Sequence, residues 1–186
     1  ANKLVQRFYA VLNSKKSIPA TTSSAIGDLP VLLPLSTQSG RKSHQSDHQD
    51  SLHQSRFHNA RDIEIFRALA LDAKSPDPQY RSIEALKKLY TQKTGKTAAV
   101  HKYFVLYPDR PSNLIPAHLH KDGLRHIHYD PEQARTITMR EAARLQTFPD
   151  NFIFKGSQTD IYKMIGNAVP PLMASKIAES VIEVLP

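Results

Sequence analysis

RTITMREAARLQTFPDNFIFKGSQTDIYKMIGNAVPP, residues 135–171, is the stretch in which residue type, spacing and helix signals converge. Thr138 followed by Glu141 reads as a capping box: the hydroxyl accepts an orphan N–H of the first turn and the carboxylate reaches back to the cap. A short helix is therefore expected from Met139, continuing through Ala142, Ala143, Leu145 and Gln146, with Glu141 and Arg144 as a local i, i+3 ion pair. Phe148-Pro149-Asp150 ends it, because proline disfavours helical geometry in the residue before it and has no N–H. A loop follows Gly156. Gly166, lacking a Cβ, lets backbone approach a ligand, and Asn167 beside it offers an amide donor and a carbonyl acceptor. Pro170 and Pro171 suit the first turn of a helix whose free N–H groups face the same place. That helix runs to about Leu185. Its Ala174, Ile177, Ala178, Val181, Ile182 and Leu185 form one apolar stripe, which needs something to pack on.

The 186 residues suffice for one domain or a modest domain with an extension, and 40% apolar residues suffice for a core. Lys and Arg total 25 against 17 Asp and Glu, a formal charge of +8 that suits a polyanionic partner or an ordinary basic protein. No apolar run approaches the ~20 residues of a membrane span and no signal-peptide core is seen at the start, so a cytoplasmic protein is expected. There is no cysteine, which excludes disulfides and thiolate metal sites.

Upstream, KLVQRFYAVL, residues 3–12, reads as a strand because β-branched and aromatic residues dominate it. Residues 36–55, STQSGRKSHQSDHQDSLHQS, have Leu52 as their one large apolar residue and read as a loop or mobile segment. His44 and His48 stand at i, i+4 there without a further ligand to complete a metal site. Asn59 caps a helix to about Ala73 with Ile63, Phe66, Leu69, Ala70 and Ala73 inward. A second helix spans about Gln79 to Gln92 with Ile83, Leu86, Leu89 and Tyr90 inward, stopped by Gly95, and Arg81, Lys87, Lys88 and Lys93 make its outer face basic. Residues 98–107, AAVHKYFVLY, read as a strand. Asp122-Gly123 reads as a hairpin turn between a strand ending near His120 and one containing Arg125, Ile127 and Tyr129. Three readings of this hairpin stand side by side. His118, His120, Lys121 and Arg125 meet DNA, or its histidines hold a metal, or all are ordinary residues of a half-solvated sheet.

TMREAARLQTFPDNF, residues 138–152, followed by IGNAVPP, residues 165–171, resembles the ninth and tenth motifs of the DNA cytosine-5 methyltransferases. SAIGDLP, residues 24–30, is similar to a segment that follows the family's eighth motif. PSNLIPAHLHKDGLRHIHYD, residues 111–130, resembles the stretch before the ninth, with Leu114-Ile115-Pro116 departing from its threonine-rich pattern. The resemblance implies that Asn167, Ala168 and Val169 line an S-adenosylmethionine pocket, and that the helix bearing Thr138, Arg140, Glu141 and Arg144 braces a recognition domain against a catalytic one. The family's reaction needs a cysteine thiolate that adds to carbon 6 of cytosine. This chain has none, and it also lacks the family's glycine-rich cofactor loop, Pro-Cys loop and Glu-Asn-Val segment.

The resemblance is therefore to the C-terminal part of such an enzyme, inactive alone. An α+β fold follows: a small mixed recognition domain, plus C-terminal helices that pack on a Rossmann-like methyltransferase domain. Residues 1–35 would connect from the catalytic domain, 36–56 form a polar loop, 57–134 the recognition domain and 135–186 the completing motifs. The implied partners are double-stranded DNA and a subunit or domain carrying the remaining motifs, as in a bacterial restriction-modification system. The isolated chain is expected to self-associate or to pack its last helix on its own recognition domain. The alternative function is a DNA-binding or assembly module, a remnant with no methylation role.

Overall fold

The computed structural model describes residues 2–45, 47–97, 99, 103–121 and 123–185. Among these residues the elements are α1 (Asn2–Ser14), α2 (Thr22–Ile26), β1 (Pro34–Ser39), β2 (Lys42–His44), α3 (Ala60–Lys74), α4 (Ile83–Thr94), α5 (Met139–Leu145), α6 (Gln158–Asn167) and α7 (Pro171–Val184). The expected α+β class holds: helices predominate, beside one two-stranded antiparallel sheet.

Helices form where capping and apolar spacing agree. The Asn59 side chain accepts from the Asp62 N–H at the start of α3, and Ile63, Phe66, Leu69 and Ala70 are buried as expected, with Ile65 in addition. In α4 the cap is Ser82, so the helix starts later than Gln79. Leu86 and Leu89 are buried, Ile83 stays exposed, and Gly95 ends the helix in the left-handed conformation, φ 68°. Two cores result. One gathers α3, α4, Tyr103, Ile127 and Ala134. The other gathers Leu52, Leu106, Ile115 and Leu119 with α5 and α6.

Four expectations are corrected. Residues 3–12 lie in α1 and not in a strand: Leu4, Phe8, Val11 and Leu12 recur at helical spacing, and the half-buried face is the one carrying Phe8, Val11 and Leu12. This helix pairs with α7, where Lys15 meets Glu179 at 3.7 Å and Glu183 at 3.2 Å. The polar segment 36–55 is partly ordered as the β1–β2 hairpin, turning at Gly40 with φ 59°. Polar groups anchor it, since His44 is buried with its Nε2 2.8 Å from the Gln133 carbonyl. Residues 103–107 form no strand among the described residues, only a single bridge from Val105 to Ile127, while Ala98, Val100, His101 and Lys102 lie outside the described residues. Gly123 does take the positive φ of a turn, 69°, with Asp122 outside the described residues. The flanking residues 117–121 and 124–125 turn back on themselves and pair with no strand.

Candidate functional site

Helix α5 is the hub. Its capping box is complete, with the Glu141 N–H donating to Thr138 Oγ1 at 3.2 Å and the Thr138 N–H to Glu141 Oε2 at 2.7 Å. Glu141 does not pair with Arg144. It turns inward to Arg135, whose two Nη donate to its two oxygens, each at 2.7 Å, and both side chains are buried. Burial alone would raise the Glu141 carboxyl, but the guanidinium charge and its paired hydrogen bonds hold it at about 2. His128 Nε2 stands 3.6 Å from the same carboxylate. Burial first, then Arg135, lowers the imidazole to about 4, so it is neutral at pH 7 and this contact is no ion pair.

The remaining polar groups of α5 reach outward to three separate segments. Arg140 Nε donates to Asp50 at 2.6 Å, and the Arg140 N–H to the Leu52 carbonyl at 3.0 Å, which fixes the loop after β2. Arg144 bridges Asp150 and Asp28, joining α5 to the turn after α2, and these carboxylates hold its guanidinium proton more tightly than usual. Thr138 Oγ1 lies 3.0 Å from His53 Nδ1, whose other nitrogen sits 2.8 Å from the Pro30 carbonyl.

The chain after Gly156 is helical, where a loop was expected. Ser157 and Asp160 form a second capping box, and Ile161, Tyr162 and Ile165 are buried. Gly166 is needed, but for the protein itself: a Cβ there would fall on the Pro116 carbonyl oxygen and 3.0 Å from Ala117 Cα. Its backbone is thus not free to meet a ligand on that side. The junction that follows is open. Asn167 is exposed, Ala168 half-buried and Val169 60% exposed, and among the described residues the Asn167 amide has no hydrogen-bond partner. Pro171 opens α7 at its first position, as expected. Two anchors set this junction: Gln146 Nε2 donates to the Ile165 carbonyl at 3.0 Å, and the Leu172 N–H donates to Thr147 Oγ1 at 3.0 Å. Leu172 and Met173 are exposed beside it.

The proposed DNA contacts do not form one group. His118, His120 and Lys121 lie on the turn after Pro116, which packs on α6 and whose Leu119 and His120 carbonyls accept from Arg56 at 2.6 and 3.1 Å. Arg125 lies apart, lining a groove with α3 and α4. His126 and His128, from the same sequence cluster, are buried. Among the described residues no set of three or more His, Asp or Glu is placed to hold a metal ion, and no helix is long and apolar enough to cross a membrane.

Sequence reasoning missed Arg135, Gln133, His53 and His58, all buried in the polar centre beneath α5. Their partners are distant in sequence: the His58 Nε2 accepts from the Thr136 N–H at 3.2 Å, and Gln133 Oε1 accepts from the Leu32 N–H and from Arg135. Thr147 was also missed. It holds φ 63°, unusual for a β-branched residue, and no local signal marks it.

Comparison with known proteins places these features in a family context. A family model described as C-5 cytosine-specific DNA methylase matches residues 2–183. The chain is similar to Type II methyltransferase M.Bpa9945I of Bacillus paralicheniformis, 37% identical over 185 residues, covering 90% of this chain and 41% of the relative. It is similar to DNA (cytosine-5-)-methyltransferase M.ApeKI of Aeropyrum pernix, 48% identical over 83 residues, 45% of this chain and 17% of the relative. Against Type II methyltransferase M1.HphI of Haemophilus parahaemolyticus the identity is 43% over 84 residues, 45% of this chain and 21% of the relative. The chain thus spans about two-fifths of the first relative's length, and the other matches cover a smaller share of theirs.

Proposed function

Because the chain belongs to the C-5 cytosine-specific DNA methylases, we propose that it is the C-terminal part of a DNA (cytosine-5-)-methyltransferase of a restriction-modification system. In this reading it contributes target recognition and one wall of the S-adenosylmethionine pocket. The observation that carries the reading is the exposed α6–α7 junction. Asn167 offers an unpartnered amide and Val169 an unburied apolar face, both held in place by Gln146 and Thr147. That donor set fits the edge of a nucleoside and is too open to enclose one, so the pocket needs a second wall. S-adenosylmethionine supplies the methyl group when bound. The residues of this chain position it and exclude water. The thiolate that adds to carbon 6 of cytosine has to come from elsewhere, since these 186 residues contain no cysteine.

Recognition falls to the α3–α4 unit and residues 103–134, with His118, His120, Lys121 and Arg125 as DNA candidates. Thr138, Arg140, Glu141 and Arg144 brace that unit against the catalytic domain. Double-stranded DNA and a catalytic domain or subunit are the partners.

The test is reconstitution. Mixed with a chain bearing the nucleophile and the cofactor loop, the protein is expected to restore methyl incorporation into duplex DNA, and Asn167→Ala to weaken S-adenosylmethionine binding in that assembly. A folded mixture that incorporates no methyl groups, with cofactor affinity indifferent to Asn167, would instead favour a DNA-binding remnant.

A further inference from the structure

Between the C-terminal half of α3, the start of α4 and residues 103–110 runs an open groove of about 680 Å³. Its lining includes Tyr80, Phe104 and Tyr107, and three arginines from separate parts of the chain: Arg81, Arg110 and Arg125. All three arginines are exposed, and among the described residues neither Arg81 nor Arg125 has a carboxylate partner. Arg110 lies with its guanidinium carbon 4.3 Å over the Tyr107 ring, and Asp109 reaches it only at 3.5 Å. The one acidic lining residue among the described residues, Asp72, is already occupied by the N–H groups of Gln79 and Tyr80 at 2.7 and 3.0 Å.

The floor is fixed. Phe104 and Leu106 donate to the Leu124 and Ile127 carbonyls, and Thr22 and Ser23 donate to the carbonyls of Arg110 and Pro108. A groove with a hydrogen-bonded floor, three lining arginines of which two lack a carboxylate partner among the described residues, and partly exposed aromatic rings complements a polyanionic strand better than it does a neutral ligand.

We infer that this groove grips one sugar-phosphate strand of duplex DNA, with Arg81, Arg110 and Arg125 each neutralising a phosphate and Tyr107 holding Arg110 in register. This deepens the functional reading above and rests on it. It assigns a backbone contact to the α3–α4 groove, which Arg125 alone of the four DNA candidates lines among the described residues.

The experiment measures binding of the 186-residue chain to a short mixed-sequence duplex DNA by fluorescence anisotropy, from 50 to 200 mM salt. Each neutralised phosphate contributes about 0.9 to the slope of log K against log salt. Arg81→Ala, Arg110→Ala and Arg125→Ala should each lower that slope by about 0.9 and the affinity at 100 mM by roughly eightfold, the effect of one such slope over the decade to 1 M. Tyr107→Phe keeps the ring and should leave binding unchanged, whereas Tyr107→Ala should reproduce the loss of Arg110. Because the side chains are exposed, circular dichroism melts should not move for the arginine variants. A parent chain that binds duplex DNA with a triple arginine variant of unchanged slope would overturn the groove and leave the family reading intact. Absence of DNA binding by the parent would count against the recognition reading itself. Equal arginine-dependent binding of duplex RNA would overturn the assignment to DNA.

Discussion

Arg135 and Glu141 are removed almost wholly from water, 0% and 1% exposed, and the buried carboxyl stays ionised because the guanidinium is beside it. Two ions taken from water are costly, and their attraction offsets that cost only while both are present. Glu141→Gln should therefore destabilise by about 3–5 kcal/mol, because the Arg135 charge is left buried without compensation. Replacing both by leucine should recover most of that loss. Denaturant melts of Glu141→Leu, Arg135→Leu and the double leucine variant check this, and additive effects would show that the pair is not coupled. The histidines beneath it give a second prediction. Burial, the largest cause in each case, lowers His44, His126 and His128 to about 4 and His58 to about 3. Their ordinary value is 6.5, so as pH falls below it the unfolded chain takes up protons that the folded chain refuses. Stability should then decline steadily from about pH 6.5 to pH 4, before the loss from Glu141, which begins only below its ordinary 4.5. Thermal melts at half-unit pH steps test this. A midpoint that is flat down to pH 5 would mean that these imidazoles are accessible to protons in the folded state.

At the scale of elements, what was legible in the sequence is what the chain decides locally. Thr138 with Glu141, Asn59 with Asp62, and Gly95 each act within four residues, and the helix ends they set were legible. The same logic is present at Ser157 and Asp160, but the chain after Gly156 reads as a loop when that box is overlooked, and α6 was missed. The α1 helix was missed because Val5, Phe8, Tyr9 and Val11 carry strand preference, and pairing with α7 decides against it. The β1–β2 hairpin was illegible for another reason. Its anchors are polar atoms whose partners, such as Gln133 for His44, lie 89 residues away. Of the candidate site, the motif points to Asn167 to Val169, a junction that the structure leaves open, whereas Gly166, read as letting backbone approach a ligand, closes on Pro116 instead. That contact is testable. Gly166→Ala places a methyl group against backbone atoms of Pro116 and Ala117, which cannot swing aside as a side chain can. A loss of about 1–3 kcal/mol is expected, as for overpacking elsewhere. The melting midpoint should fall by roughly 2–4 °C per kcal/mol for a chain of this size. An unchanged midpoint would mean that α6 and the Pro116 turn are not in firm contact.

Across the whole molecule, the two cores leave one layer uncovered. α1 and α7 pack on each other, with Phe8, Val11 and Leu12 half-buried in the first and Ile177 half-buried and Ser180 and Val184 buried in the second, yet Leu4, Val5, Tyr9, Val181, Ile182 and Leu185 remain exposed. Much of the expected α7 stripe therefore faces water, and it is not packed on the α3–α4 unit. A surface of this kind is seldom left bare on a soluble monomer. In the proposed enzyme it would lie against the catalytic domain. In the isolated chain the same physics should drive self-association through α1 and α7. Ile182, 74% exposed, is the residue to test, since changing it disturbs little that is packed. Ile182→Glu should shift the chain toward monomer in sedimentation equilibrium with no change in helicity, because the carboxylate would have to lose its water for the faces to meet. Addition of the catalytic part should shift the parent chain in the same direction by occupying the face. A parent that is monomeric at every concentration, and that binds no apolar dye, would show that this layer closes on itself in solution, and the reason for placing a catalytic domain against it would disappear.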